Sequence, residues 1–260
     1  MSDRENAFIS RHADKGSCPV DQDFLRSNLS AEDAKVALST LKSHFSDMRE
    51  SPLTSTGIER SLRLGDELFD LLPDRAVVVS AHSTSDRSAL TMYLAMKQVV
   101  KREKVSKIDE DSRKNIDCIV LNDDLVKQSL EDTDSDKGGW NQYGKPMMED
   151  GLDQDSAVAA LVEAANKGHL GVEIQKVFQK EEAGKYREVI SKILSDMTTE
   201  DTRNSDVPII LFAVGHSEPL AQFKYEHLGE QLPASESPAF CELFEFDKDG
   251  RVVSTKGIEL

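Results

Sequence analysis

The chain has 260 residues, of which 38% are hydrophobic and 31% are charged, and its formal net charge at pH 7 is −16. This length and apolar fraction suit one packed domain, whereas the negative charge disfavours polyanionic partners such as nucleic acid or an anionic membrane surface. The sequence has no apolar run of about 18 residues and no signal-peptide pattern at its N-terminus, so we expect a cytoplasmic protein that does not enter membranes.

The three cysteines, Cys18, Cys118 and Cys241, are odd in number and widely spaced. This pattern favours free thiols in a reducing compartment over a disulfide framework. No pair of cysteines or histidines has the spacing of zinc ligands. We therefore expect neither a metal nor another cofactor.

Short apolar runs separated by helical patterns indicate an α/β sheet that is covered on both faces. The run "VPIILFAV" is apolar throughout, as is typical of a strand buried on both sides. The predicted strands are Ala7–Ile9, Ala76–Val79, Ile116–Leu121, Val207–Val214 and Phe240–Phe246.

Two helices are predicted from capping residues and periodic apolar positions. Ser30 caps the first, within "LSAEDAKVALSTLKSHF", and Thr54 caps the second, over residues 53–72. Gly57 and Gly65 lie inside the second helix, where each costs about 1 kcal/mol relative to alanine. A close approach between this helix and the sheet would explain both glycines.

The region of about residues 130–205 is expected to be a helical insertion within a single domain that spans residues 1–260. Residues 131–154 are polar and rich in glycine and aspartate, which predicts a long loop. Helical patterns follow at Ser156–Asn166, Val172–Gln179 and Lys185–Met197.

Polar residues follow three of the predicted strands directly. Arg11 and His12 come after the first strand, a serine-rich turn leads to Arg87 after the second, and His216 follows "VPIILFAV". Ligands bind beyond the carboxyl ends of parallel strands, so these four side chains are expected to converge there. The helix near Arg87, which a residue of the turn Ser83–Asp86 would cap, adds N–H groups that suit an anion.

This set of residues favours phosphoryl chemistry. The guanidinium groups offer paired donors to phosphate oxygens, and a neutral imidazole can act as a nucleophile. Positive charge on Arg11, Arg87 and a protonated His216 would lower the pKa of His12 and keep it neutral. An acid must also protonate the leaving oxygen.

Five segments, in this order, resemble the histidine phosphatase superfamily, which includes the phosphoglycerate mutases and the SixA-like phosphohistidine phosphatases. They lie within residues 7–253 and read "FISRHADKG", "LTSTGIERSLRLGDEL", "VVVSAHSTSDRSALTMYL", "LFAVGHSEPL" and "FCELFEFDKDGRVV", of which the last resembles the final edge strand of the family. The resemblance implies a three-layer α/β/α sandwich with a mostly parallel central sheet. It also implies that His12 is the phosphorylated nucleophile and that Arg11, Arg87 and His216 bind the phosphoryl oxygens.

The resemblance leaves the proton donor open. Many members carry this acid in a Leu-Asn-Glu segment, and "IVLNDDLVKQ" places Asp123 at the matching position. Aspartate is one methylene shorter than glutamate, so Asp124 and Glu218 are kept as alternatives. Lys15 is a candidate for substrate binding, and we expect a structural role for His82.

The predicted function is a phosphatase that hydrolyses a phosphate monoester, or a protein phosphohistidine, through a phosphohistidine intermediate. Its partner would be a phosphorylated small molecule or a phosphoprotein. The alternative is a non-catalytic module on the same fold that binds a phosphorylated ligand or a protein. A mutase is disfavoured, because nothing in the sequence signals a closed pocket for a bisphosphate intermediate.

Because this chemistry requires no metal, hydrolysis of an aryl phosphate should persist when EDTA is present. The measurement is the initial rate before and after exhaustive chelation. A rate that EDTA abolishes and a divalent cation restores would contradict the prediction.

Overall fold

The computed structural model describes residues 7–46, 49–107, 114–130, 145–153, 156–157, 160, 163, 173–197, 207–228, 238–247 and 250–260. The strands are β1 Ala7–Arg11, β2 Lys15–Pro19, β3 Glu50–Leu53, β4 Arg75–His82, β5 Asn115–Val120, β6 Ile209–Gly215, β7 Leu243–Phe246 and β8 Val252–Lys256. The helices are α1 Gln22–Asn28, α2 Ala31–His44, α3 Ser55–Leu71, α4 Asp86–Ser106, α5 Asp124–Ser129, α6 Lys145–Glu149, α7 Glu173–Met197 and α8 Ser217–Leu228.

Among the described residues, six strands form one sheet in the order β5-β4-β6-β1-β7-β8. The pairs β5–β4, β4–β6 and β6–β1 are parallel, and the pairs that involve β7 are antiparallel. Strands β2 and β3 pair separately as a small antiparallel sheet. The predicted α/β fold with a mostly parallel central sheet is confirmed.

Alternate residues of the central strands point to opposite faces. On each face, the described residues form a hydrophobic cluster. In β6, Phe212 belongs to the cluster that includes residues of α2, α3 and α4, whereas Leu211 belongs to the cluster that includes residues of α7 and α8. Every residue of β6 is buried. The sheet is therefore the middle layer of three, as expected for a strand run that is apolar throughout.

Both predicted helix caps are confirmed. The Ser30 hydroxyl accepts a hydrogen bond from the N–H of Asp33, and the Thr54 hydroxyl accepts one from the N–H of Gly57. Each side chain satisfies an N–H group that has no partner within its helix. Helices α2 and α3 begin directly after these two residues.

Several predicted boundaries were wrong. Phe240 precedes β7, which begins at Leu243, and β8 is the edge strand beyond it. Helix α7 is continuous where two helices were expected, and residues 145–149 form a helix inside the predicted loop. Residues 131–144 and most of 156–166 lie outside the described part of the chain. Helix α1 and the β2–β3 pair were not predicted.

The cysteines are free thiols, and burial raises the pKa of each one, for Cys118 to about 11. They therefore stay protonated at neutral pH.

In the described part of the chain, no helix is both long enough and apolar enough to cross a membrane.

Gly65 allows α3 and α4 to pack closely. A Cβ atom at this position would press on the carbonyl oxygen of Ala95 and would lie 2.7 Å from the Cβ of Gln98. The predicted close approach is thus real, but the partner is a helix and not the sheet. The contact explains why a residue of low helix propensity lies inside α3.

Gly65→Ala should lower the free energy of unfolding by about 1–3 kcal/mol, because the added methyl group separates the helices. Gly184→Ala is the matched control: Gly184 lies in α7, and a Cβ atom added there would have no neighbour within 4 Å. The control should gain up to about 1 kcal/mol from helix propensity. Urea denaturation measures both, and a Gly65→Ala protein as stable as the wild type would refute the packing explanation.

Candidate active site

The parallel register of the central strands brings three chain segments to one edge of the sheet. In the β1–β6 pair, Arg11 is aligned with Gly215, and the N–H of His12 donates to the carbonyl oxygen of Gly215 at 3.1 Å. On the other side of β6, the N–H of Ser83 donates to the carbonyl oxygen of Val214 at 3.0 Å. The segments that follow β1, β4 and β6 therefore leave the sheet side by side.

The two predicted histidines lie against each other at this edge. The ring centroids of His12 and His216 are 5.5 Å apart, and the rings meet edge to face at 71°. His12 is 4% exposed, His216 is 5% exposed and Arg11 is 1% exposed. The structure thus brings together imidazoles that are separated by about two hundred residues in the sequence.

The ring orientation of His12 identifies its tautomer. Its Nδ1 atom lies 2.8 Å from the carbonyl oxygen of Ala13, which can only accept a hydrogen bond. In the neutral ring, the proton therefore resides on Nδ1, and the lone pair is on Nε2. This is the atom that can attack an electrophile.

The surroundings of His12 keep its imidazole neutral. Burial lowers the pKa of His12 well below the usual 6.5, and positive charge on Arg87, His216 and Arg11 lowers it further. The hydrogen bond to Ala13 opposes these effects only in part. Lys15 is not among the charges that lower this pKa; it lies exposed at the start of β2.

Arg11 is held by residues just before β7. Its Nη1 donates to the carbonyl oxygen of Pro238 at 2.7 Å, and its guanidinium carbon lies 4.0 Å from the ring centroid of Phe240. The backbone oxygen of Arg11 accepts from the N–H of Cys241 at 3.2 Å. Sequence reasoning missed these contacts, because "FCELFEF" reads as one apolar strand.

The serine-rich turn after β4 contributes to the same site. Ser85 is the N-cap of α4, so the helix begins at Asp86, and the half-buried Arg87 lies in its first turn. The Ser83 hydroxyl lies 2.9 Å from Nε2 of His216. Sequence reasoning treated Ser83 only as one of several possible caps; its contact with His216 depends on the strand register.

A second set of hydrogen bonds fastens the loop after His12. The N–H of Ala13 donates to the Thr91 hydroxyl at 3.0 Å, and the carbonyl oxygen of Asp14 accepts from the N–H of Thr54 at 3.2 Å. The carboxylate of Asp14 accepts two hydrogen bonds from Arg60. Helices α3 and α4 thus fix the backbone beside His12.

Tyr186 connects α7 to His216. The N–H of His216 donates to the tyrosine hydroxyl at 3.2 Å, and this hydroxyl donates to the carbonyl oxygen of Leu130 at 2.8 Å. The tyrosine is fully buried, and its ring occupies the space that a side chain at Gly215 would need. The apolar stripe of this helix predicted the burial of Tyr186 but not the role of its hydroxyl.

The structure gives the three candidate acids different surroundings. Asp123 is the N-cap of α5, and one of its oxygens accepts from the N–H groups of Leu125 and Val126. The side chain of Asp124 is 88% exposed. Glu218 lies in the first turn of α8, and its side chain is outside the described part of the structure.

Strand β5 carries Asp123 to the same edge of the sheet, next to the turn that follows β4. Two strand spacings, about 10 Å, separate β5 from β6. Asp123 therefore lies on the far side of the serine-rich turn from the histidines.

His82 ends β4, is 7% exposed and donates from Nδ1 to the carbonyl oxygen of Ser83 at 2.6 Å.

A cavity of about 350 Å³ lies elsewhere, between α2, α3 and the C-terminal residues. Five of the eight described residues that line it are acidic, so it repels a phosphoryl group. The lining residues are Asp33, Glu59, Leu62, Arg63, Asp66, Glu67, Ile258 and Glu259. In the described part of the chain, no three histidine, cysteine or acidic side chains are grouped so that they could hold a metal ion.

No family model and no curated protein sequence matches this chain. Similar solved structures include a mycobacterial glucosyl-3-phosphoglycerate phosphatase in complex with VO3, at 12% identity over 96% of this chain and 98% of that chain, with a TM-score of 0.42. Another is phosphoserine phosphatase from Entamoeba histolytica in complex with 3-phosphoglyceric acid, at 12% identity over 97% of both chains, with a TM-score of 0.39.

A third is phosphoglycerate mutase from Bacillus anthracis, at 18% identity over 99% of this chain and 93% of that chain, with a TM-score of 0.37. All three are members of the histidine phosphatase superfamily, the family that the sequence motifs resemble.

Arg87→Met should raise the pKa of His12 towards 6.5, because it removes the largest charge effect and keeps most of the side-chain volume. NMR titration of the imidazole resonances measures the shift, with His12→Gln for assignment. Arg75→Met, at the opposite end of β4, is the control and should leave the pKa of His12 unchanged. An unchanged pKa in Arg87→Met would show that Arg87 does not act on His12.

Proposed function

We propose that this chain is a phosphatase of the histidine phosphatase type, which hydrolyses a phosphate monoester through a covalent phosphohistidine on His12. The observation that carries the proposal is the contact between His12 and His216 beside the buried Arg11. Two imidazoles and guanidinium groups at one strand edge fit a tetrahedral dianion. A structural pair of histidines would not require a neighbouring buried arginine.

In the first proposed step, the Nε2 lone pair of His12 attacks phosphorus, and the bond to the leaving oxygen breaks. Arg11, Arg87 and His216 stabilise the charge that develops on the phosphoryl oxygens. The bond between Nδ1 and Ala13 fixes the ring while Nε2 reacts. Asp123, in its protonated form, donates the proton that the leaving oxygen takes.

In the second proposed step, water attacks the phosphohistidine, and the N–P bond breaks. Asp123, now a carboxylate, accepts the proton from that water, and inorganic phosphate leaves with the oxygen that the water supplied. The electron pair of the broken bond returns to Nε2, so His12 regains the neutral form that its surroundings favour. Each residue thus returns to its starting protonation state.

The proposed substrate is a phosphorylated small molecule, with a protein phosphohistidine as the alternative within the same chemistry. The deep burial of His12 and His216 supports the smaller substrate, because a compact ester can approach them more closely than the surface of a folded protein can. We also propose that the whole chain is one domain in which residues 130–205 are inserted, and that this insertion and Lys15 contribute to substrate choice.

His12→Ala should reduce kcat/KM for an aryl phosphate by about 10⁴-fold or more, because it removes the nucleophile. Wild-type enzyme quenched in alkali during turnover should carry one phosphoryl group on the peptide that contains His12, as measured by mass spectrometry. His227→Ala, on the exposed end of α8, is the control and should retain full activity. Activity that survives in His12→Ala removes His12 from the mechanism.

Asp123→Asn should slow hydrolysis of alkyl phosphates by about 10²-fold or more, because their leaving oxygen needs a proton. Aryl phosphates should be slowed far less, since an aryloxide leaves without one. Asp124→Asn is the matched control. Equal slowing of both substrates, or none, would assign the acid to Asp124 or Glu218.

The alternative to catalysis is a module that only binds a phosphorylated ligand. The position of Asp123 is the observation that favours it, because two strand spacings, about 10 Å, separate the strand that precedes this acid from β6, which precedes His216. A wild-type protein that binds inorganic phosphate in calorimetry but hydrolyses neither aryl nor alkyl phosphates would establish this alternative.

A further inference from the structure

The aromatic ring of Phe240 contacts both Arg11 and His12 in the candidate site. Its ring centroid lies 4.0 Å from the guanidinium carbon of Arg11 and 5.9 Å from the ring centroid of His12, with 44° between the two ring planes. These separations are within the ranges of cation–π contacts and of contacts between aromatic rings. A single aromatic side chain therefore touches both the arginine and the nucleophile.

The burial of the three residues shows which one faces water. Arg11 and His12 are almost inaccessible, whereas Phe240 is half-buried. The aromatic ring is therefore a boundary between these two residues and solvent. A charge shielded in this way acts more strongly on its neighbours than a solvated charge does.

The backbone holds Phe240 in this position through the turn at residues 238–242. The N–H of Ala239 donates to the carboxylate of Glu242 at 2.8 Å, and the same carboxylate oxygen lies 3.2 Å from Nζ of Lys224 in α8. The N–H of Glu242 donates back to the carbonyl oxygen of Ala239 at 3.0 Å. The turn is therefore closed on itself and tied to α8.

Cys241 adds a constraint next to the ring. Its φ is 60°, a left-handed conformation that residues other than glycine adopt only where the surroundings fix them. The N–H of this cysteine donates to the backbone oxygen of Arg11. The conformation thus joins the backbone of the turn to the residue whose side chain Phe240 covers.

We propose that Phe240 is a positioning residue: its ring holds the guanidinium of Arg11 in place for the phosphoryl group and excludes water from Arg11 and His12. Pro238 completes the arrangement, because its carbonyl oxygen orients Nη1 of the same arginine. This inference rests on the proposed phosphoryl site but not on turnover, since it concerns anion binding and the state of His12.

Two changes are expected when the ring is removed. A less restrained Arg11 should bind inorganic phosphate roughly 3-fold to 30-fold more weakly, the range that the loss of a cation–π contact supplies. Water that reaches His12 should raise its pKa towards 6.5, because burial is the largest cause of the lowering. The charges of Arg11, Arg87 and His216 remain around the ring, so the rise should be partial.

The test compares Phe240→Leu with Phe240→Tyr. Calorimetry measures the Kd of inorganic phosphate, and NMR titration measures the pKa of His12. Phe240→Leu should show both changes, and Phe240→Tyr, which keeps the ring, should remain within roughly twofold of the wild-type Kd. If the Phe240→Leu protein does not fold, Phe240→Met, which also lacks the ring, is measured in its place.

Phe69→Leu is the matched control, because the ring of Phe69 lies 5.1 Å from the guanidinium carbon of Arg102, on α3 and α4 away from the site. Its phosphate Kd should equal that of the wild type. A Phe240→Leu protein with wild-type phosphate binding and an unchanged pKa of His12 overturns the inference. The proposed function is contradicted by a different result, namely activity that persists in His12→Ala. The two failures are therefore distinguishable.

Discussion

The parallel hydrogen bonding of β4, β6 and β1 is the constraint on which the candidate site depends. Arg11 and His12 lie beside His216 only because β1 is paired with β6 so that Arg11 is aligned with Gly215. A slip of one residue would exchange the faces to which Arg11 and His12 point. The same register places Ser83 against His216 and directs α4, with Arg87 in its first turn, towards His12. The geometry of the site is thus a property of the sheet.

Burial strengthens the local effect of the Arg11 charge in a chain whose net charge is strongly negative. With a net charge of −16, the molecule does not attract anions from a distance, and the cavity between α2 and α3 is lined mainly by acids. Arg11, by contrast, is removed from water beside His12. Burial is the largest cause of the lowered pKa of His12, and positive charge on Arg87, His216 and Arg11 lowers it further. A poorly screened charge such as that of Arg11 also favours a bound anion. The positive charge at the candidate site therefore acts on an anion only at short range.

The sequence allowed prediction of those features that have local signals. An apolar run that ends in a polar pair located His12 and His216 at strand ends, and Thr54 located the start of α3. Features that depend on tertiary contacts had no such signal. Gly184 lies between two helical patterns, yet α7 runs through it. Phe240 continues an apolar run, but the chain turns at Cys241 with a φ that usually requires glycine. Likewise, periodicity predicted that Tyr186 is buried without revealing what its hydroxyl contacts.

The hydroxyl of Tyr186 has a consequence for the segment between β5 and β6. This one group receives a hydrogen bond from the backbone of His216 and gives one to Leu130, so the end of α5, helix α7 and the second histidine share a single junction. Replacing the segment between β5 and β6 would therefore remove contacts that support the candidate site. The hydroxyl of Tyr186 in α7 thus contributes to the position of the peptide that carries His216.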